Sequence, residues 1–319
     1  MSAPRIAVVG GGPAGLAAAI AAAEAGARVA VFDEWSEPGG ELRYRVARRH
    51  LPGFASAMRP AAVRADLLTR LAATNATIAT GAIVWGIFDD GALTISRDGA
   101  SEEVRPDAVV LATGSTDAAL PFPGATLPGV FTSRAVQLLL NRWRVLPGRR
   151  FAIVGGGAEG AEVAADIRLV GADVAVVADG RAAVAATGQD GVETVVVNGR
   201  SHPVDVIVVA AGRHPDIALA QMAGCPIGVD AALGGWMPRI DDRLQVPDRP
   251  LFVAGNAAGI CDLATALAEG RLAGLAAALR LGLLSETGFA SATERERSAL
   301  VGRFEARRRL EPTFVQTYR

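Results

Sequence analysis

Arg5-Ile-Ala-Val-Val-Gly-Gly-Gly-Pro-Ala-Gly15, followed by an alanine-rich run and closed by Val29-Ala-Val-Phe-Asp33, decides the fold. Ile6 to Val9 is a short apolar run of the kind that forms a strand buried on both faces. It breaks into Gly10, Gly12 and Gly15 with G-x-G-x-x-G spacing, and Pro13 and Ala14 complete the turn. The first glycine allows a tight turn, the second lets backbone approach a pyrophosphate, and the third lets helix pack on strand. A helix from about Ala14 to Ala25 then aims its N-terminal N–H groups at the phosphates. Gly26 stops it. The strand from Val29 to Phe32 delivers Asp33, followed by Glu34, about twenty residues past the glycines, where a ribose hydroxyl belongs.

The chain of 319 residues is long enough for two domains. Half its residues are apolar and its net charge is −1, so no polyanionic partner such as nucleic acid is implied. All 32 basic residues are arginines. Cys225 and Cys261 lie far apart and form neither a C-x-x-C pair nor a metal site, and a reducing, cytoplasmic setting follows as the default. The first strand begins so near Met1 that no signal peptide is expected. Charges within the most apolar helical stretches argue against a membrane span.

Beyond Asp33, Pro38-Gly39-Gly40-Glu41 is a tight turn whose glycines let backbone pass close to a bound cofactor. Residues 42–58 read as an irregular cover, and Ala61 to Ala73 has helical spacing. Ile78, Ile83 to Ile87 and Leu93 to Ile95 read as short strands, with turns at Asp89-Asp90-Gly91 and Asp98-Gly99. Ala108 to Leu111 is a further buried strand, ending in Ala112-Thr113-Gly114. After a Pro-rich connection and a helix from about Ser133 to Trp143, the opening pattern returns. Phe151 to Val154 leads into Gly155, Gly157 and Gly160, with Glu162 two residues on, and Val174 to Val177 is the second strand. Here the position matching Asp33 is Ala178, and Asp179 comes one residue late.

Too few residues separate Asp179 from Gly191 for both a crossover helix and a third strand. Val192 to Val197 and Val204 to Ala210 read as strands around a hairpin turn at Asn198-Gly199. Gly212 ends the last strand. The fold class is therefore α/β, with two Rossmann-like dinucleotide-binding domains, the second inserted in the first and trimmed. The expected boundaries are 1–117 plus 245–319 for the first and 118–244 for the second. Leu251 to Ala254 is a strand ending at Gly255-Asn256. Asp262 is an N-cap for a helix from Ala264, followed by Thr265, to Leu281, whose positive end can stabilise negative charge on a reduced ring system. The tail from Thr293 to Arg309 alternates Glu and Arg around Leu300, Val301, Phe304 and Leu310 and reads as a solvated amphipathic helix packing on its own domain, with partner docking the lesser reading.

These motifs in this order resemble the two-dinucleotide-domain flavoproteins of the glutathione reductase and thioredoxin reductase class. Leu120-Pro-Phe-Pro-Gly, Leu127-Pro-Gly-Val, Val145-Leu-Pro-Gly-Arg, Gly234-Gly-Trp-Met-Pro and Ala268-Glu-Gly-Arg-Leu-Ala-Gly resemble one branch more closely. That branch is the alpha-type subunit of heteromeric amine dehydrogenases and oxidases: opine oxidase, hydroxyproline dehydrogenase, dye-linked proline dehydrogenase and sarcosine oxidase. The resemblance implies FAD on Gly10, Gly12, Pro13, Ala14, Gly15, Asp33, Glu34, Gly39, Gly40, Glu41, Ala112, Thr113, Gly114, Gly255, Asn256, Ala264 and Thr265. It implies NAD(H) or NADP(H) at Gly155, Gly157, Gly160, Glu162 and Gly212. As partners it implies a second flavoprotein subunit, with room for a small iron–sulfur subunit.

Four departures from the family pattern stand out. The C-x-x-C of the thioredoxin reductases is missing, Gly255-Asn256 replaces Gly-Asp, Gly39-Gly40-Glu41 replaces Gly-Gly-Gln, and no cysteine follows Cys261. Because a flavin carries the redox chemistry itself, no catalytic side chain is singled out, and His50, His202 and His214 lack any partner pattern. Three readings stay open. The first is the FAD-dependent electron-transferring subunit of an amino-acid or opine-type amine dehydrogenase or oxidase. The second is a self-sufficient NAD(P)H-dependent reductase of a protein or small acceptor, and the third is a non-catalytic nucleotide-binding subunit.

Overall fold

The computed structural model describes residues 5–52, 56–88 and 90–312. Asp89, one residue of an expected turn, and residues 53–55 of the expected cover lie outside this range. The chain opens with strand β1 (Arg5–Val9), helix α1 (Pro13–Glu24) and strand β2 (Arg28–Asp33). Helix α2 (Pro60–Ala72) and strand β3 (Thr77–Thr80) follow, then an antiparallel trio, β4 (Ile83–Ile87), β5 (Leu93–Arg97) and β6 (Ala100–Val104). Strand β7 (Ala108–Leu111) returns to the centre, and β8 (Ser115–Asp117) leads out.

Two compact units result. The first comprises residues 1–43, 48–115 and 214–319; the second comprises 44–47 and 116–213. In the second lie β9 (Val130–Thr132), helix α3 (Ser133–Gln137) continued by a π-helical turn (Leu138–Trp143), β10 (Arg150–Gly155), α4 (Gly157–Leu169) and β11 (Asp173–Ala178). Then come β12 (Val184–Thr187), β13 (Thr194–Val197), β14 (Arg200–Pro203), β15 (Val206–Ala210) and the exit strand β16 (Arg213–Pro215). The parallel sheet runs β11-β10-β15-β9, and β12-β13-β14 is antiparallel. The short stretch after Asp179 thus holds the antiparallel strand β12, and no crossover helix. Asn198 and Gly199 both have positive φ, as their hairpin turn demands.

The chain re-enters the first unit at His214, earlier than the expected 245. The intervening residues form helix α5 (Ala218–Met222) and the hairpin β17 (Ile227–Asp230) and β18 (Gly235–Pro238). Leu219, Ala220, Ala223 and Cys225 are buried in the core that contains Val9, Leu111 and Val253. That packing assigns the segment to the first unit, and no composition shift in the sequence marks the boundary. Strand β19 (Leu251–Val253) completes a five-stranded parallel sheet of order β19-β7-β1-β2-β3. Helices α6 (Leu263–Arg280), α7 (Glu286–Ala299) and α8 (Val301–Arg308) follow, and β20 (Glu311–Pro312) pairs with β17. The tail is therefore two helices broken at Leu300, which is buried with Phe304 in the main core.

The feature that positions the site is the close parallel packing of α1 on α6. A Cβ on Gly270 would lie 2.1 Å from the Ala14 carbonyl oxygen, and one on Gly274 would lie 2.2 Å from that of Ala18. Backbone meets backbone, which only glycine permits. Asp262 precedes Gly270 by eight residues, whereas Gly12 precedes Ala14 by two, so α6 starts about 9 Å beyond α1 along their shared direction. Gly274→Val is expected to lower stability by about 1–3 kcal/mol in denaturant unfolding, because α1 and α6 must separate. Gly302→Ala, in open space on α8, is expected to leave it unchanged or raise it by about 0.5 kcal/mol.

Candidate functional site

In the first unit the three fingerprint glycines do different work. Gly10 has φ +101°, and a Cβ there would meet the Ala112 carbonyl oxygen at 2.3 Å; a Cβ on Gly15 would lie 1.8 Å from the Gly10 oxygen. These two are fixed by strand and helix packing. Gly12 instead faces the Gly39-Gly40 turn, with the Gly40 Cα 4.0 Å from its Cβ position. The Gly39 N–H donates to the Gly11 carbonyl at 2.7 Å, so fingerprint and turn form one rim. Gly39 and Gly40 both have positive φ. Glu41 sits half-buried in the 3-10 turn Gly40–Arg43, and Glu34 is exposed.

Helix α1 starts at Gly12 without any side-chain cap, although its first turn carries the buried Ala14 and Gly15. By contrast Asp262 caps α6 by accepting the Thr265 N–H at 2.8 Å, and Ser285 caps α7. A partly buried helix end without a side-chain cap leaves N–H groups open to another partner, and a phosphate supplies one. The residues present therefore fit a dinucleotide diphosphate.

Asp33 is 5% exposed; its Oδ2 accepts the Gly11 N–H at 2.7 Å and its Oδ1 the Trp35 N–H at 2.9 Å. Each oxygen keeps a lone pair for a hydroxyl. The carboxylate thus ties strand β2 to the glycine loop. Burial pushes the Asp33 carboxyl above its ordinary value, against the two N–H bonds and the Arg43 charge. The Arg43 guanidinium stacks 4.5 Å from the Trp35 ring centroid, a pair with no signature in the sequence pattern.

The turn Ala112-Thr113-Gly114 is clasped from the other side: Thr113 Oγ1 donates to the Asp216 carbonyl at 2.8 Å, and the Asp216 N–H donates to the Gly114 carbonyl at 3.0 Å. Gly255 has φ +70°, and a Cβ there would lie 2.8 Å from Ala14 Cβ, so this turn abuts the start of α1. The Asn256 amide bridges neighbours, its Oδ1 accepting the Cys261 N–H at 3.0 Å and its Nδ2 donating to Ser115 Oγ at 3.4 Å. An amide nitrogen carries two protons, so one remains for a hydroxyl. Ala264 and Thr265 form the first turn of α6, with Thr265 N–H committed to the cap. Thus all seventeen residues expected around FAD fall in the first unit, along the C-terminal ends of β1, β2, β7 and β19.

The second fingerprint is built differently. A Cβ on Gly155 would collide with the Ala210 carbonyl oxygen at 2.0 Å, matching Gly10, but a Cβ on Gly156, Gly157 or Gly212 would meet nothing within 4 Å, and one on Gly160 only ordinary contacts at 3.7 and 3.8 Å. Glu159, in the first turn of α4, is engaged by the Ser133 hydroxyl. Glu162 pairs with Arg45 at 3.1 Å, both nearly buried. Asp166 below it accepts from Gln137 and Asn141 on α3 and its π-helical extension, and burial raises its pKa. The Asp179 carboxylate accepts the Arg181 N–H at 2.8 Å.

Both cysteines are free thiols; burial holds Cys225 up to about 11 and pushes Cys261 higher still, so neither is a thiolate at neutral pH. Among the described residues no group of three or more His, Cys, Asp and Glu is placed to hold a metal ion, and no helix is long and apolar enough to cross a membrane.

Residues 4–184 match the pyridine nucleotide-disulphide oxidoreductase family. The chain belongs to that family. It is an FAD-dependent oxidoreductase, and related reductases in the family use NAD(P). The chain is 29% identical to the A-type subunit of opine oxidase of Agrobacterium tumefaciens (strain Ach5), over 93% of this chain and 69% of the relative. It is 30% identical to the alpha subunit of sarcosine oxidase of Corynebacterium sp. (strain P-1), over 86% of this chain but only 32% of that much longer protein. The crystal structure of L-proline dehydrogenase from P. horikoshii superposes with a TM-score of 0.80 at 26% identity, covering 98% of this chain and 60% of that one.

The raised Asp33 pKa fixes the sign of a pH effect. The folded state holds this proton more tightly than the unfolded chain. Its contribution to stability is therefore greatest below pH 3.8, falls as pH rises through 3.8 toward the folded value, and is flat above it. In denaturant unfolding of the cofactor-free protein, wild type is expected to lose ground against Asp33→Asn as pH rises from below 3.8 to neutrality; a difference that grows in favour of wild type would reverse the assigned sign.

Proposed function

We propose that this chain is the FAD-carrying, electron-transferring subunit of a heteromeric enzyme that oxidises an amino acid or opine-type amine. The substrate site would lie on a partner chain, itself a flavoprotein, and a small iron–sulfur subunit is a further candidate component. The observation that carries this reading is the uncapped, partly buried start of α1 between Asp33 and the Gly39-Gly40 turn. It is a finished cradle for one dinucleotide in a chain whose two cysteines offer no redox relay. The names of the opine oxidase and sarcosine oxidase relatives, each a designated subunit of its enzyme, support the heteromeric part.

Within this reading the α1 N-terminus and Gly12 hold the diphosphate, and Asp33 accepts a ribose hydroxyl. Asn256 would hold the ribityl chain through its amide, and the start of α6 lies about 9 Å beyond that of α1. FAD when bound supplies hydride and single-electron transfer. The positive end of α6 favours negative charge near it, and the Ala112–Gly114 turn, clasped by Asp216, walls the cleft. No side chain of the first unit is assigned acid–base work on a substrate.

A second reading rests on the open start of α4 in the second unit, at Gly156 and Gly157, as a place to bind NADH or NADPH. Anaerobic visible spectroscopy separates the two. Bleaching of the flavin band only when the partner chain and an amine are both present is the expected result. Rapid bleaching by NADH or NADPH alone would make the chain a self-sufficient reductase, and a flavin that no donor reduces would make it a nucleotide-holding subunit. Full-rate amine oxidation by the isolated chain would overturn the partner-dependent part.

The cradle is tested separately. Asp33→Asn removes a charge-assisted hydrogen bond worth about 1.5–3 kcal/mol, so FAD affinity, measured by fluorescence titration, is expected to fall roughly 10- to 100-fold. An unchanged affinity would remove Asp33 from the site.

A further inference from the structure

Glu269 is completely buried in the second turn of α6, and three donors converge on it. Its Oε2 accepts the Gly255 N–H at 2.9 Å; its Oε1 accepts Arg303 Nε at 3.0 Å and Arg307 Nη2 at 2.6 Å. Both arginines stand on α8, the helix that the sequence presents as a solvated surface. Arg307 is 6% exposed. The same guanidiniums also hold the backbone after Asn256. Arg303 donates to the Ile260 carbonyl at 2.9 Å and to that of Gly259 at 2.7 Å, and Arg307 donates to that of Ala258 at 3.0 and 3.2 Å. Three successive carbonyls are thereby held by α8, and the Gly255 N–H by Glu269 on α6. The segment they belong to has positive φ at both ends, +70° at Gly255 and +116° at Gly259, and carries Asn256 between them.

Burying two guanidiniums and a carboxylate is expensive, and packed apolar side chains commonly stabilise a fold as well or better. One guanidinium nitrogen, Arg307 Nη1, is buried with no hydrogen-bond partner at all. Stability alone is a poor reason for this cluster. Its geometry supplies another, because five of its seven hydrogen bonds go to the backbone of the turn between β19 and α6.

We propose that Glu269, Arg303 and Arg307 are positioning residues for FAD. They lock the Gly255–Ile260 turn in its binding shape, so that docking of α8 and binding of the cofactor are thermodynamically coupled. The inference rests on the placement of FAD in the first unit. Coupling is reciprocal: if docked α8 tightens FAD binding, bound FAD must equally suppress the opening of α8.

The experiment uses the full chain with and without FAD. Hydrogen–deuterium exchange of the amides of residues 303–308 is expected to slow at least tenfold when FAD is added. In fluorescence titrations Arg303→Met is expected to weaken FAD binding at least tenfold, with partial rescue by Arg303→Lys. Arg308→Met, on the same helix, removes only an exposed contact with Asp242 and is expected to stay within twofold of wild type. If wild type binds FAD but α8 exchange is unchanged, the lock is refuted while the FAD reading stands. The lock is equally refuted if Arg303→Met binds as wild type does, or if Arg308→Met weakens binding as much as Arg303→Met. If Arg303→Met does not fold, the exchange comparison on wild type decides alone. Wild type that binds no FAD overturns both.

Discussion

The structure of the first unit depends on two helix backbones touching. Gly270 and Gly274 of α6 sit on the carbonyls of Ala14 and Ala18 of α1, with no room for a methyl group on either glycine. The alanines that fill α1 are the other half of this contact, since ten of its residues are buried and a longer side chain would lift α6 away. Once the helices lie this close and parallel, their N-terminal ends are set along one line about 9 Å apart. One positive end faces the glycine loop and the other the Gly255–Ile260 turn. An elongated ligand with a diphosphate at one point and an electron-accepting ring at another meets a positive pole at each.

The two fingerprints show how similar spellings acquire different surroundings. In the first, Asp33 reaches back to the Gly11 N–H, the Gly39 N–H bonds to the Gly11 carbonyl, and the loop is braced on both sides. In the second, the equivalent strand end is Ala178, Asp179 is occupied by its own turn, and a Cβ on Gly156 or Gly157 would point into open space. Carboxylates cluster along α4, where Glu159 meets Ser133, Glu162 meets Arg45, and Asp166 meets two amides. The braced loop supports the proposed placement of FAD in the first unit. The open loop leaves the second unit as the place where NAD(P) use, as in related reductases, is decided by experiment.

What could be read from the chain was what is local in chemistry. Strand, glycine loop, helix and acid lie within thirty residues, and each signal is a backbone requirement of its own position, as at Gly10, Gly26 and Asp262. The small face of α6 was visible, though not its register on α1. The lock on Glu269 was not legible, because its partners lie 34 and 38 residues away and a string of Glu and Arg looks solvated unless the burying surface is known. The same limit displaced the domain boundary: residues 214–244 join the first unit through apolar contacts of α5 and the β17–β18 hairpin, which leave no mark in composition. The sequence pattern also merged α7 and α8, since Leu300, where they part, continues the apolar period.

The most direct test is the location of the diphosphate in a structure of the protein crystallised with FAD. Phosphate oxygens are expected within hydrogen-bond distance of the backbone N–H groups at the start of α1, beside Gly12, with Asp33 on a ribose hydroxyl. A diphosphate seated on the Gly155–Gly160 loop, with the α1 end turned to solvent, would contradict it.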